Sequence, residues 1–412
     1  MKAWLWLLVG MAVSAISWTY MHRIVLPWEH HVNVEQGKLL VEMGDLYPRW
    51  VGTRELLLNR RNPYGPEVSH EIQIGFYGHP IEQSYDHPGS EIVDEQRFAY
   101  PVYVVFLLAP TMHIEFPVLQ AWAPLLLGAL TAISVWLWFG SIRWQPAPVA
   151  TAAFILFVLS SPQIGQGLRL RQLGLFVAFL IALSTWAIVH KHYFLGGTLL
   201  AFSTIKPQMI VLCLAWFFIW TLGEWKQRSR LAAGFASAFL LLAGAGELLL
   251  PGWPRYFLAG LQAYTKYFPT TSIVRLILGN WIGGVVSVVI ILLLIAFGWR
   301  KRGVQPNSPE FLEMLTLFLI ATTLVLPILT PYNQVLLLLP ITLLIRDWDA
   351  LSRLGRTGFV LFMAWPPLAA IGLLARPLQL DTFEHALPPS ALLLFMPFVV
   401  LWLTYSRRLK LA

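Results

Sequence analysis

The sequence predicts an all-α polytopic membrane protein, a bundle of about 12 (11–13) transmembrane helices with a large first extracytoplasmic loop that contains interfacial helices. Three observations predict it. The 412 residues are 57% hydrophobic and only 12% charged, whereas a soluble domain carries about 25% charged residues. Apolar runs recur along the whole chain, and the mean hydropathy is +0.64. Roughly eighty polar, aromatic-rich residues separate the first run from the second, a spacing that a simple transporter seldom needs.

The first run, 3–20, lies in MKAWLWLLVGMAVSAIS and has the look of a secretory signal. So many spans follow it that an uncleaved first helix is the better expectation. The loop 21–99 then carries LYPRWVGTRELLLN, a helical pattern suited to the membrane surface. Leu46, Trp50, Leu57 and Leu58 form its apolar side, with Arg49 and Arg54 at more polar positions. Turn chemistry in Arg60-Arg61-Asn62-Pro63-Tyr64-Gly65 closes it. The later acids Glu82, Asp86, Glu91, Asp94 and Glu95 sit among Gly, Pro and Ser and read as solvated loop charges.

Residues 101–114 are apolar but split by Pro110, and read as re-entrant or interfacial. The remaining runs are 117–139, 148–161, 173–190, 194–205, 208–222, 232–250, 281–299, 310–329, 333–345, 358–375 and 389–405. A bilayer core wants about 20 helical residues. The runs 148–161, 194–205 and 333–345 are therefore short, and are expected to be tilted, broken or only partly crossing. Segment 251–280 alternates aromatic and basic residues, as an interfacial helix or one wall of a lipid-phosphate groove would. No internal repeat or soluble domain interrupts the chain, so 1–412 reads as one membrane unit.

The charges sort with this topology. With both termini cytoplasmic, Lys2, Arg143, Lys191, Lys226, Arg228, Arg230, Arg300, Lys301, Arg302, Arg346, Arg353, Arg356, Arg407, Arg408 and Lys410 all fall inside. The outer side then receives 21–99, 162–172, the turn at Lys206, 251–280, TPYNQ and 376–388. A multi-pass plasma-membrane location is expected. The net charge of +8 reflects these short clusters and does not point to nucleic acid. A single cysteine, Cys213, excludes a disulfide within the chain and any multi-cysteine metal site. The pairs His30-His31 and His190/His192 are weak metal signals, and no metal or other cofactor is expected.

Four places can carry chemistry. Asp45 precedes the surface helix, as an N-cap or as a functional carboxylate. Arg169 and Arg171, in GQGLRLRQLG, sit at an outer boundary two residues apart, so they do not share a helical face. Lys206 lies in TIKPQ between two short apolar runs. A cation inside the bilayer costs about 2.5–3.5 kcal/mol on insertion scales, so it must snorkel, face a cavity or meet an anion. Glu247, near Pro251, needs a polar neighbour or a proton. No Walker loop, dinucleotide fingerprint, HExxH or GxSxG is present. That pattern favours an activated substrate already resident in the membrane.

The order of motifs brings a family into view: a first span, an early Asp45 in a long outer loop, NPYGPE, FAYP opening the next run, GQ before a span, then AFSTIKPQ. It resembles glycosyltransferase family 87, polyprenyl-phosphate-sugar-dependent hexosyltransferases of the GT-C fold. The likeness covers about 40–215 well, and the C-terminal half by topology. It implies a GT-C-like bundle, a polyprenyl-phosphate hexose donor (mannose first) reached from the outer leaflet, and a lipid or glycan acceptor. It also implies that Asp45 is the catalytic base and that Lys206 faces the donor phosphate. Gln166, Arg49, Tyr64 and Tyr100, at or beside the matching motifs, join Arg169 and Arg171 as candidate substrate contacts. Two patterns depart from the family: YPP reads Tyr100-Pro101-Val102, and GQ-x-N reads Gly165-Gln166-Gly167-Leu168.

The chemistry is consistent with a lipid-phosphate donor, whose departure puts negative charge on phosphate and positive charge on the anomeric carbon. Fixed cations stabilise the first, and a carboxylate on the opposite face takes the acceptor proton, inverting the centre. The donor is a co-substrate, so no separate cofactor is implied. Two alternatives differ in class: a transporter or flippase of lipid-linked saccharides, and a GT-C ligase or polymerase of preassembled glycans. A transporter would spread charges through its helix interiors or show paired repeats.

Overall fold

The computed structural model describes residues 3–35, 43–78, 96–267, 271–375 and 391–411. All regular structure in these residues is helical. The acids Glu82, Asp86, Glu91, Asp94 and Glu95 lie outside them, as does the outer segment 376–388.

The first helix does not stop at residue 20. Helix α1 (Ala3–Tyr20) runs through a wide π turn, Met21–Val25, into α2 (Leu26–Glu35). Pro27 explains the wide turn, because its ring crowds the preceding carbonyls and it has no N–H to give. The continuous stretch Trp4–His31 is long and apolar enough to span a bilayer. What reads as the start of the outer loop is therefore helix.

Helix α3 (Leu46–Asn59) occupies the span its pattern predicts, and α4 (Pro66–Tyr77) follows after a turn. Leu46, Trp50 and Leu56 are buried in the protein core. Leu58, assigned to the same apolar side, is 48% exposed. The buried stripe runs through Leu46, Trp50, Thr53 and Leu56, a spacing of three or four residues that leaves 58 on the opposite face. Segment 101–114 forms only α5 (Val104–Leu108) and a 3-10 turn, too short to cross.

The membrane body begins with α6 (Phe116–Ser141). Next come α7 (Pro148–Leu159) and α8 (Pro162–Arg169), bent by 63° at the Ser-Pro between them. Then follow α9 (Leu173–Val189), α10 (Tyr193–Ser203), α11 (Pro207–Gly223) and α12 (Trp225–Leu249). Helices α13 (Trp253–Tyr267) and α14 (Ile273–Leu278) fill the expected interfacial segment before α15 (Asn280–Arg300). The chain closes with α16 (Pro309–Val325), a 3-10 turn Pro331–Leu337, α17 (Leu338–Arg346), α18 (Arg353–Leu374) and α19 (Met396–Leu411).

By length and apolarity, five helices among the described residues can cross a membrane, or six if the bent α7–α8 pair is one span. Leu173–Val189, Tyr193–Ser203, Pro207–Gly223 and Pro331–Arg346 are apolar but shorter. One of them, α11, packs on α16 through a buried aromatic cluster. Trp216, Phe217, Trp220, Phe311 and Phe318 are fully buried, with ring centroids 5.0–6.1 Å apart in the contacts joining α11 to α16. The long helices wear their apolar residues outward: Leu240, Leu241 and Leu248 on α12, and Leu292 and Leu293 on α15 are exposed. An exposed apolar belt around a packed centre is what a lipid-facing surface requires.

Candidate active site

Short polar loops between the helices meet at one place, and glycine chemistry brings the first of them there. Gly44 has φ +65°, a left-handed conformation that costs a side chain strain. A Cβ at this position would sit 2.9 Å from the Leu170 carbonyl oxygen. The absent side chain lets the Asp45 N–H donate to that same oxygen at 2.9 Å. The loop before α3 is thus pinned to the loop after α8, across 125 residues of sequence.

Asp45 occupies the N-cap position of α3, yet its carboxylate makes no capping hydrogen bond. The capping reading therefore fails. The Arg49 guanidinium instead donates to the Asp45 backbone oxygen at 2.7 Å and lies 4.7 Å from the Tyr100 ring centre. Asp45 keeps some surface, but enough protein surrounds it that desolvation pushes its carboxyl above the usual range. Arg49 and then Lys206 pull it back. Tyr100 is held in turn by Tyr64, whose hydroxyl donates to the Tyr100 carbonyl at 2.6 Å. Burial pushes the Tyr100 phenol up to about 12, with Arg49 opposing and Asp45 adding to the rise.

Lys206 sits between α10 and α11. Pro207 forces the preceding residue out of helical geometry, and Lys206 has φ −126° and ψ 76°. Its side chain does not snorkel: the residue is 4% exposed. Nζ donates to Gln172 Oε1 and to Asn333 Oδ1, each at 3.1 Å, and lies 4.8 Å from the Tyr332 ring centre. Gly174 makes room for it, since a Cβ there would be 3.0 Å from Nζ. No carboxylate among the described residues comes within ion-pair distance of Nζ. The Tyr103 hydroxyl, 3.0 Å from Thr204 Oγ1, ties the segment just after FAYP to this turn.

The structure thus brings Asp45, Arg49, Tyr64, Tyr100 and Lys206 into one group. Arg169 and Arg171 diverge from each other, as their spacing predicts. Arg169 pairs with Glu29 of α2, while Arg171 donates to the Gln120 carbonyl of α6 at 3.2 Å. Gln166 lies on α8 with Oε1 buried and unpartnered among the described residues. Glu247 finds its polar neighbour in the Gly252 N–H at 2.7 Å. No group of three or more His, Cys, Asp or Glu side chains gathers among the described residues.

Sequence reasoning missed Gln172, Tyr332 and Asn333. The available signal was positional: TPYNQ opens the short apolar run 333–345, on the side assigned to Lys206.

Lipid-facing helices around a polar group assembled from their loops define a polytopic membrane protein with a chemically equipped site. A model described as Glycosyltransferase family 87 matches residues 98–327. That is more than half of the chain, which belongs to this family and is a membrane glycosyltransferase. The match includes Tyr100, Gln166, Arg169, Arg171 and Lys206; Asp45, Arg49, Tyr64 and Asn333 lie outside it. No curated protein and no solved structure matches the chain.

Proposed function

We propose that this glycosyltransferase moves a hexose, with mannose the first candidate, from a polyprenyl-phosphate donor to a lipid or glycan acceptor at the outer face of the plasma membrane. Both termini are then cytoplasmic. One observation carries the reading: a buried lysine without a carboxylate in ion-pair contact stands within electrostatic reach of a carboxylate that caps nothing. Burial lowers the lysine's pKa to about 7, Asp45 opposes that fall, and a bound phosphate would hold the ammonium charged. A buried lysine held only by neutral amides and a ring is short of counter-charge. A phosphate monoester supplies it.

In the reaction, Asp45 takes the proton of the acceptor hydroxyl as its oxygen bonds to the anomeric carbon. The bond from that carbon to the phosphate oxygen breaks, and its electron pair leaves with the lipid phosphate beside Lys206. One displacement inverts the centre. Fixed charge near the leaving group is worth several kcal/mol where water is scarce, and a positioned base adds about 10²–10⁴ in rate. Arg49 and Tyr100 orient the Asp45 loop, and Arg169, Arg171 and Gln166 are candidate contacts along the substrates. Phosphate chemistry of this kind uses a lipid-borne leaving group and needs no nucleotide site.

Membranes containing the protein, incubated with labelled polyprenyl-phosphate mannose or glucose, should pass label to a lipid or glycan. A flippase would relocate the donor without transferring its sugar. A ligase or polymerase of preassembled glycans would ignore both monosaccharide donors.

A further inference from the structure

Gln163 on α8 has a chemistry that the proposed mechanism leaves unused, and it shares that chemistry with Gln166, a candidate substrate contact to which the mechanism assigns no partner group. Gln163 is 8% exposed, and its Oε1 is buried with no hydrogen-bond partner among the described residues; the same is true of Gln166 Oε1. They are three residues apart, hence on one face of the helix. The other faces of α8 are occupied. Gly165 approaches Met21 of the π turn, Leu168 reaches Gly128 of α6, and Gly167 packs on Leu175 of α9. At about 100° per residue, the stripe left over holds positions 163 and 166. The neighbour on which α8 packs most extensively is the Pro331–Leu337 turn. That turn carries Tyr332 and Asn333, which hold Lys206.

We infer that the seam between α8 and the Pro331–Leu337 turn is the subsite for the donor's hexose ring, with the Gln163 and Gln166 carboxamides recognising its hydroxyls. The inference rests on the lipid-phosphate donor reading above and deepens it. A carboxamide offers one acceptor and two donors, matching a hydroxyl that gives and receives. Two of them at helical spacing meet neighbouring hydroxyls on one ring edge. Leaving such groups buried and unmet is unfavourable, which a bound polyol relieves. The loop that follows α8 supplies Leu170 to Asp45 and Gln172 to Lys206. A ring in the seam therefore lies beside both the phosphate cation and the base.

The test uses full-length protein with polyprenyl-phosphate mannose, polyprenyl-phosphate glucose, and the 2-, 3-, 4- and 6-deoxy forms of whichever donor the wild type accepts. Gln163→Ala and Gln163→Met should each lower kcat/KM about tenfold or more with the parent donor. With one particular deoxy donor, the wild type should fall to the level of the variants and the variants should lose nothing further. Gln163→Met, close in size and free of the unmet amide, should melt at or above the wild-type temperature. An equal loss with every deoxy donor, no loss at all, or a lower melting temperature with proportional loss of activity overturns the subsite alone. Failure of the wild type to use either parent donor overturns the donor reading, and the subsite with it.

Discussion

Lys206 Nζ lies 3.1 Å from Asn333 Oδ1, a contact that reaches across 127 residues of sequence. The amide is fixed in that orientation, because Asn333 Nδ2 donates to Thr330 Oγ1 at 2.6 Å and to the Ile328 carbonyl at 3.3 Å. A turn late in the chain therefore aims the cation set between α10 and α11. Asn333 gives the lysine a dipole and no charge, and Asp45 acts on it only from beyond ion-pair distance.

Asn333→Asp should supply that charge. The new carboxylate would pair with Lys206, and the donor phosphate would have to compete with it. A donor titration should show KM raised about tenfold or more, from an interaction of a few kcal/mol. Asn333→Ala, which only loosens Lys206, should do less. Equal donor affinity for wild type and Asn333→Asp would show that Lys206 does not meet the phosphate.

Asp45→Asn should lower the transfer rate by about 10²–10⁴, and should stabilise the fold at neutral pH. The sign follows from burial. The carboxyl pKa is raised in the folded protein, so ionisation disfavours the folded state above that value. The stabilisation by Asn is complete above the folded pKa. It fades as pH falls from there to the ordinary carboxylate value of the unfolded chain, and is absent below. Thermal unfolding of the two proteins across this acid range checks it.

The same shift governs rate. The base works when ionised, so activity should be lost on acidification at a pH above the usual carboxylate range. Lys206 favours the ionised form, so Lys206→Met should move this acid limb to higher pH. A pH profile of kcat/KM at saturating acceptor measures both.

Gly44→Ala should displace Asp45 without touching any side chain of the site. Its φ of +65° and the Leu170 carbonyl at 2.9 Å leave no place for a methyl. The strain is about 1–2 kcal/mol, and transfer should fall more than stability does. A single-turnover assay beside a melting curve separates the two.

Orientation can be tested directly. With the buried Cys213 changed to Ser, a cysteine replacing Glu67 on α4, whose side chain is 83% exposed, should react with an impermeant thiol reagent on intact cells. Reaction only after permeabilisation would place α4 inside.

Much of this was legible in the residues. The pattern of α3 appears in LYPRWVGTRELLLN, and the order of NPYGPE, FAYP, GQ and IKPQ marks the family. The number of spans was less legible, because Leu173–Val189 and Tyr193–Ser203 read as apolar runs although both are shorter than an ordinary span. Apolarity says that a helix is buried, not whether lipid or protein buries it. Gln172 and Asn333 were invisible for a different reason. Neutral amides in turns have no pattern of their own, and only the folded chain reveals which cation they hold.

The most direct test measures donor binding and sugar transfer separately in wild-type, Asp45→Asn and Lys206→Met protein, using labelled polyprenyl-phosphate mannose and glucose. Asp45→Asn should bind donor like the wild type and transfer about 10²–10⁴-fold more slowly, while Lys206→Met should bind donor weakly. Transfer at the wild-type rate by Asp45→Asn, or undiminished donor binding by Lys206→Met, would contradict the account.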